Sequence, residues 1–429
     1  MTPEIKQRIE QIRQGKVPEG YQRTILGIAP KSWDESRIDK ICRLSSGSTP
    51  RRDAVENFNG DILWVTSGEL KRRNIWDTRE KVSETAVVNS HLEMYDPGTV
   101  VIAIYGLEAA GIRGTVSIIG KQCTISQACM AFTEFKGIDN EFFYYWYLNN
   151  GQVIGLRYAQ GTKQQNLSTD IVGAFPICFP SQGEQRKIAA ILTTQDKVIE
   201  LKEKHLAEKH RQKKYLMQQL LTGKKRLPGF SGEWKVTRLR NIAMRQTKRN
   251  AIGNTNVLTI SAQYGLINQA EFFNKAVASD DKSNYFLLEK GDFAYNKSYS
   301  NGYPFGAIKR LTRYKVGIVS PLYICFRIKE GSVSGEYLEQ YFEAGLMNHE
   351  IQAFAQEGAR NHALLNIAVD DFFNSKILIP LLEEQAAIAK ILSTADSEID
   401  LIRQDIEQEK QKKKALMQLL LTGIVRVNV

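Results

Sequence analysis

The stretch PSQGEQRKIAAILTTQDKVIELKEKHLAEKHRQKKYLMQQLLTG, residues 180–223, returns two hundred residues later as PLLEEQAAIAKILSTADSEIDLIRQDIEQEKQKKKALMQLLLTG, residues 380–423. Aligned without gaps, 20 of these 44 positions are identical, which makes the chain an internal duplication. The identities include Pro180/Pro380, Glu184/Glu384, Gln185/Gln385, Asp196/Asp396 and the closing Leu-Thr-Gly. Each copy reads as one long helix, over 181–222 and 381–422. In the first, Ile188, Leu192, Ile199, Leu206, Leu216 and Leu220 step by multiples of three, four or seven, with Lys, Glu and Gln between them. In the second, Ile388, Leu392, Ala395, Ile399, Ile402, Ile406, Leu416 and Leu420 do the same, in the 3–4 alternation of a coiled coil. A proline precedes each helix and a glycine, Gly223 or Gly423, ends it. One apolar stripe on so long a helix needs a partner, and the chain supplies one of the same pattern. An antiparallel pair, which would relate the halves by a pseudo-twofold, is the expected arrangement.

The flanks repeat as well. Residues 223–234 read GKKRLPGFSGEW, and Gly15, Lys16, Val17, Pro18 and Tyr21 echo Gly223, Lys224, Leu227, Pro228 and Phe230. WDESRIDKI from Trp33 matches WKVTRLRNI from Trp234. The order is therefore pseudo-cyclic, and a short N-terminal helix over 3–14 is expected to pack near the C-terminal end. Between the markers lie two divergent regions, 31–179 and 232–379. Each mixes strand-like runs (Thr99–Ile104, Val116–Ile119, Val316–Phe326) with helix-like runs (Glu141–Leu148, Gly335–Gly345). They share a faint frame: Asp96–Gly98 and Lys290–Gly291 each precede a strand, TISQACMAF at 124–132 parallels IVSPLYICF at 318–326, and Asn166 and Asn366 each stand fourteen residues before the shared proline. The predicted class is α+β: two similar mixed α/β domains separated by two long antiparallel coiled-coil helices. The expected divisions are an N-terminal helical segment (1–30), a first domain (31–180), a central helix (181–223), a second domain with its leading linker (224–380) and a C-terminal helix (381–429).

A chain of 429 residues can bury two cores. Its net charge of +11 favours an anionic partner, of which nucleic acid is the commonest. Five scattered cysteines without a C-x-x-C argue for a reducing compartment and against a disulfide framework or a thiolate zinc site. MTPEIKQRIEQIRQGK alternates in charge and is no signal peptide, and no apolar run approaches bilayer length. A cytoplasmic location is expected.

Catalytic signatures are missing. There is no G-x-x-x-x-G-K-[ST], no H-E-x-x-H and no N-P-P-Y or D-P-P-Y. The glycines of GLEAAGIRG (106–114) do not form G-x-G-x-x-G and read as a loop. His205 and His210 read as solvated residues of the long helix, and the basic helix ends (Lys209, Arg211, Lys213, Lys214; Lys410, Lys412, Lys413, Lys414) as solvated faces and dipole partners. No metal or cofactor is expected. Chemistry suited to reading DNA is better represented. The candidates in the first region are Ser48, Thr49, Arg51, Arg52, Lys71, Arg72, Arg73, Tyr105, Arg113, Lys163, Gln164 and Gln165. In the second they are Arg245, Lys248, Arg249, Asn250, Asn296, Lys297, Tyr299, Asn301, Tyr303, Arg360, Asn361 and His362. Arg, Asn and Gln pair bidentately with guanine and adenine edges, whereas Lys and Ser mostly hold phosphates.

The doubled P…EQ…I…IL…D blocks (Pro180–Asp196, Pro380–Asp396), the two L-M-Q…L-L-T-G endings, and LPGF followed by W-x-x-x-x-L (Leu227–Leu239) resemble the specificity subunit of type I restriction-modification enzymes. GSTPRR…GDILWVTSGEL (Gly47–Leu70) resembles a common opening of that family's target recognition domains. The resemblance covers nearly the whole chain. It implies that 31–179 and 232–379 are two target recognition domains, each reading one half of a split asymmetric site on double-stranded DNA. The paired helices would set the gap and dock modification (methyltransferase) subunits, two of them, with restriction/translocase subunits joining through the assembled complex. The chain itself would be no enzyme. A stand-alone DNA-binding regulator is the alternative, but it would not need long helices with polar faces. A fragment of a fused restriction-methylation protein is a third reading, but it would require catalytic motifs upstream.

Overall fold

The computed structural model describes residues 2–104, 115–158, 167–261, 264–273, 281–300, 302–357 and 365–428. The chain forms two compact units. One comprises residues 1–202 with 405–429, and the other 203–404. Each of the two long helices therefore contributes one part to each unit.

In the first unit a five-stranded sheet runs in the order Arg43–Ser46, Cys129–Thr133, Val100–Ala103, Val116–Ile119, Asn74–Ile75. The first four strands are antiparallel and the last is a parallel edge. The runs VVIA and VSII are continuous rather than alternating because both faces of the sheet are covered. Val100, Ile102, Val116 and Ile118 enter one core with Phe142, Phe143 and Tyr147 of the helix Asn140–Tyr158. Val101, Ala103 and Ile119 enter another with Leu63, Val65 and Ile125. Those last residues belong to a three-stranded sheet ordered Cys123–Ile125, Ile62–Val65, Lys81–Val82. A one-residue slip of register would exchange the two cores, so both pin the strand pairing.

The second unit repeats the plan. Its sheet runs Ala243–Arg245, Ile324–Ile328, Phe293–Asn296, Ala307–Arg310, all antiparallel. This is the first unit's order without its parallel edge strand. Phe293 and Tyr295 face a core with Tyr337, Leu338 and Phe342 of the helix Gly335–Glu343. Ala294 faces the other, with Leu258, Leu266, Phe286 and Leu288. The parallel drawn between residues 124–132 and 318–326 is real in space. Phe132 pairs with Leu44 and Val100, and Phe326 pairs with Arg245 and Phe293. Gly98 and Gly291 both stand at positive φ before the third strand of their sheets. The run Val316–Phe326 is two strands, Val316–Val319 and Ile324–Ile328, because the Tyr323 N–H turns back to the Ser320 carbonyl.

The matching WDESRIDKI and WKVTRLRNI segments also take one structure. Asp34–Arg37 pairs with Pro176–Phe179, and Lys235–Arg238 pairs with Lys376–Ile379. Each then enters a four-residue helical turn whose first N–H, of Ile38 or Leu239, donates to the carbonyl of Phe175 or Ser375.

The long helices span Gln182–Leu220 and Leu382–Leu420. They run antiparallel in each unit. In the first unit Gln195 donates to Glu409 at 2.6 Å, and Lys413 meets Asp196 at 2.6 Å. In the second Lys209 meets Glu398 at 2.7 Å, and Lys213 meets Asp396 at 2.5 Å. Ile188, Leu192, Ile388 and Leu392 are fully buried, while Leu206, Leu216, Ala395 and Ile402 are half-buried, as on the narrow seam of a two-helix pair. Lys213 and Lys413 correct the reading of the basic helix ends. Their side chains are only 12% and 18% exposed, and their ammonium groups are spent on Asp396 and Asp196. The spacing of one helix alone could not reveal partners on the other.

The N-terminal helix, Pro3–Arg13, packs where the pseudo-cyclic order requires. Arg8 donates to the Ile424 carbonyl at 2.7 Å and Tyr21 to the Gly423 carbonyl at 2.8 Å. Gly423 is thus the structural counterpart of Gly223, with φ of 69° and 70°.

Candidate nucleic-acid interface

In the first unit the segment Ser48–Arg52 is laid against the smaller sheet. Gly47 allows this, since a Cβ there would stand 2.1 Å from the Ile125 carbonyl oxygen. The Ser48 N–H donates to that carbonyl, and its own carbonyl accepts from Trp64 Nε1 at 3.2 Å. Ser48 and Thr49 are half-buried. Arg51 is exposed beside Asp53. Arg52 lies over the rings of Phe58 (4.6 Å) and Trp64 (5.1 Å) and makes a two-pronged pair with Glu80. Those hydrogen bonds hold the Glu80 carboxyl below the usual range.

Lys71, Arg72 and Arg73 part company. A capping box of Thr66 and Glu69 shapes the turn before them. Lys71 and Arg72 are exposed, and their side chains meet no partner among the described residues. Arg73 turns inward to an ion pair with Glu141 and lies over Tyr144 and Tyr145.

In the second unit Arg245 and Lys248 are exposed, with Lys248 3.9 Å from Glu289. Arg249 donates to the Asn284 carbonyl and lies over Phe286 at 5.1 Å. Asn250 is buried. Its amide donates to the carbonyls of Asn254 and Lys282 and accepts from the Asn254 N–H, so it holds a turn. Asn296 ends the strand Phe293–Asn296, and Lys297 and Tyr299 lie on the loop that leaves it. Asn296 Oδ1 accepts from the Ser298 N–H, and the Lys297 carbonyl accepts from the Leu365 N–H. Tyr299 is 61% exposed. Tyr303 is anchored instead: its hydroxyl donates to Glu343 at 2.6 Å and accepts from Lys309 at 2.9 Å, and burial with Glu343 nearby raises its pKa. Tyr105, Arg113, Lys163, Gln164, Gln165, Asn301, Arg360, Asn361 and His362 lie outside the described residues, as do Asn166 and GLEAAGIRG.

The surface left open is thus cationic and aromatic: Arg51, Lys71 and Arg72 in one unit, Arg245, Lys248 and Tyr299 in the other, with Lys297 half-buried. Such groups serve phosphate holding and base contact. Redox or nucleophilic thiol chemistry has no purchase, since all five cysteines are buried, and burial pushes Cys42, Cys123, Cys129 and Cys325 up to about 12 and Cys178 to about 11. Among the described residues no group of three His, Cys, Asp or Glu side chains could hold a metal, and no helix is long and apolar enough to cross a membrane. His210 lies beside Arg403, 3.3 Å from its guanidinium, and partial burial followed by that charge lowers its pKa.

Glu184 and Glu384, identical in the two copies, join the start of each long helix to the segment that follows the other, and sequence reasoning marked them without giving their partners. Glu184 is 2% exposed and accepts two hydrogen bonds from Arg426, both 2.6 Å. Glu384, also 2% exposed, accepts two from Arg226, both 2.7 Å, and a third from Trp234. The paired arginines, 200 positions apart, were the missed signal.

Comparison with known proteins places this architecture. The family described as "Type I restriction modification DNA specificity domain" matches twice, over residues 30–209 and 231–411. The chain belongs to that family. It is 23% identical to the type I restriction enzyme MjaVIII specificity subunit of Methanocaldococcus jannaschii, over 93% of this chain and 94% of that one. It is 29% identical to the MjaIX specificity subunit of the same organism, over 43% of this chain and 42% of that one. Among solved structures, the S subunit of a type I restriction-modification system from M. genitalium shares the fold, with a TM-score of 0.54 at 14% identity over 90% of this chain and 96% of that one.

Proposed function

We propose that this chain is the DNA-reading subunit of a type I restriction-modification complex and has no catalysis of its own. Regions 31–180 and 224–380 act as target recognition domains, each reading one half of a bipartite asymmetric site. The long helices set the spacer between the half-sites and dock two methyltransferase subunits. Restriction/translocase subunits join through the assembled complex, in the cytoplasm. The observation that carries this reading is one sheet order built twice on matching joints, with unlike residues on the open surfaces. A frame of this kind suits two readers of different sequences held by one ruler. A stand-alone regulator would have no use for helices of 39 residues each.

The test lengthens the ruler. Inserting four residues into both long helices adds about one turn, ~6 Å, and keeps the apolar stripe nearly in phase. Mapping methylated adenines in cells carrying the variant with its partner subunits should show one or two added spacer pairs and unchanged specific blocks. An active variant with the original spacer would show that the helices do not set the gap.

A further inference from the structure

In both units the domain shares an apolar core with the long helices, and corresponding residues add two polar ties. The first tie is a buried glutamine. Gln185 accepts from the Asp139 N–H at 2.7 Å and donates to the carbonyls of Gly137 and Pro180. Gln385 accepts from the Ser334 N–H at 2.8 Å and donates to the Pro380 carbonyl. Asp139 and Ser334 each immediately precede the domain's own helix, Asn140–Tyr158 or Gly335–Glu343.

The second tie is a carboxylate joining three elements. Asp196 accepts from the Tyr145 hydroxyl at 2.6 Å and pairs with Lys413 at 2.6 Å. Asp396 accepts from the Gln340 amide at 2.9 Å and pairs with Lys213 at 2.5 Å. The domain helix, one long helix and the opposite long helix thus meet at a single side chain. The Asp and Lys are the same in both copies, whereas the domain's donor is a tyrosine in one and a glutamine in the other. What the duplication kept is a hydrogen-bond donor from the domain aimed at that carboxylate.

We propose that Tyr145–Asp196–Lys413 and Gln340–Asp396–Lys213 are positioning relays that enforce spacer length. They do so by fixing the angle of each domain on its stretch of the helix pair, without touching DNA. The inference rests on the split-site reading above. Adding one base pair to a spacer moves a half-site by ~3.4 Å along the duplex and turns it by roughly 35°. Apolar packing is non-directional, so a domain held by that core and the glutamine tie alone could swing enough to follow that displacement. A second tie, charge-assisted and directional, removes the swing.

The experiment uses the complex assembled with its methyltransferase subunits. Its substrates are duplexes carrying both half-sites at the natural spacing and with one base pair added or removed. Tyr145→Phe and Gln340→Met remove the domain's hydrogen bonds to the two carboxylates and almost no volume, leaving the longer 4.0 Å approach of Arg73 to Asp196 in place. The double variant should methylate the natural site at nearly the original rate and the misspaced sites at least about tenfold faster, tenfold being roughly the worth of one such charge-assisted bond. Base preference within each half-site should not change. Asp196→Asn with Asp396→Asn cuts the lysine leg from the other side and should give the same relaxation, whatever the first pair does to folding. Unchanged discrimination between spacings in folded, active variants would overturn the inference, as would altered base preference. A natural site that proves to be one contiguous block would instead overturn the split-site reading and this inference with it.

Discussion

At the scale of the residue, charge type was legible in the sequence and orientation was not. Lys71, Arg72 and Arg73 are three consecutive cations, yet Arg73 faces Glu141 and the other two face solvent. Asn250 has the right chemistry for an adenine edge but spends its amide on a turn. Which way a side chain points depends on the strand or turn beneath it, and that is set by distant pairing such as Ile118 N–H to the Arg73 carbonyl. Arg52 yields a prediction in acid. Its hydrogen bonds depress the Glu80 pKa from the ordinary value of 4.5. A depressed carboxylate adds stability above its unfolded pKa and loses it as pH falls through the folded one. Denaturant unfolding of wild type and Arg52→Met should therefore differ at pH 7 and converge once the pH lies well below 4.5. A difference that persisted in acid would assign Arg52's contribution to its stacking on Phe58 and Trp64 instead.

The elements divide in the same way. The long helices were legible from end to end because period, proline and glycine all agreed, and the observed bounds fall within two residues of the expected ones. The sheets were legible only as strand-like runs. Their order, with the last of four strands inserted beside the first, depends on long-range pairing that no local pattern records. The helix ends supply a contrast within one chain. Gly223 and Gly423 both adopt left-handed φ, so an alanine at either costs ~1 kcal/mol in backbone strain. A Cβ on Gly223 would rest 3.5 Å from Trp234, an ordinary contact, whereas one on Gly423 would stand 2.5 Å from Pro30. Urea denaturation should show Gly223→Ala destabilised by about that strain alone and Gly423→Ala by clearly more. Equal losses would mean that the Pro30 segment yields freely.

For the molecule as a whole, the two-reader proposal makes the halves separable. Replacing 31–179 by another domain of the family, with the flanking joints kept, should change one half of the methylated sequence and leave the other intact. A change in both halves on sequencing the methylated adenines would end the two-reader view. The closure of the first unit also has a temporal side. The second unit is contiguous, residues 203–404, whereas the first joins residues 1–202 to 405–429. Its seams are Arg8 with Ile424, Tyr21 with Gly423 and Glu184 with Arg426. Loop closure over such separations is slow, and a chain growing on a ribosome cannot make these contacts until residues 405–429 have emerged. The second unit can therefore complete its core first. The earlier-made half then still has its helix seam open, so during synthesis the N-terminal half should be the more sensitive to proteases.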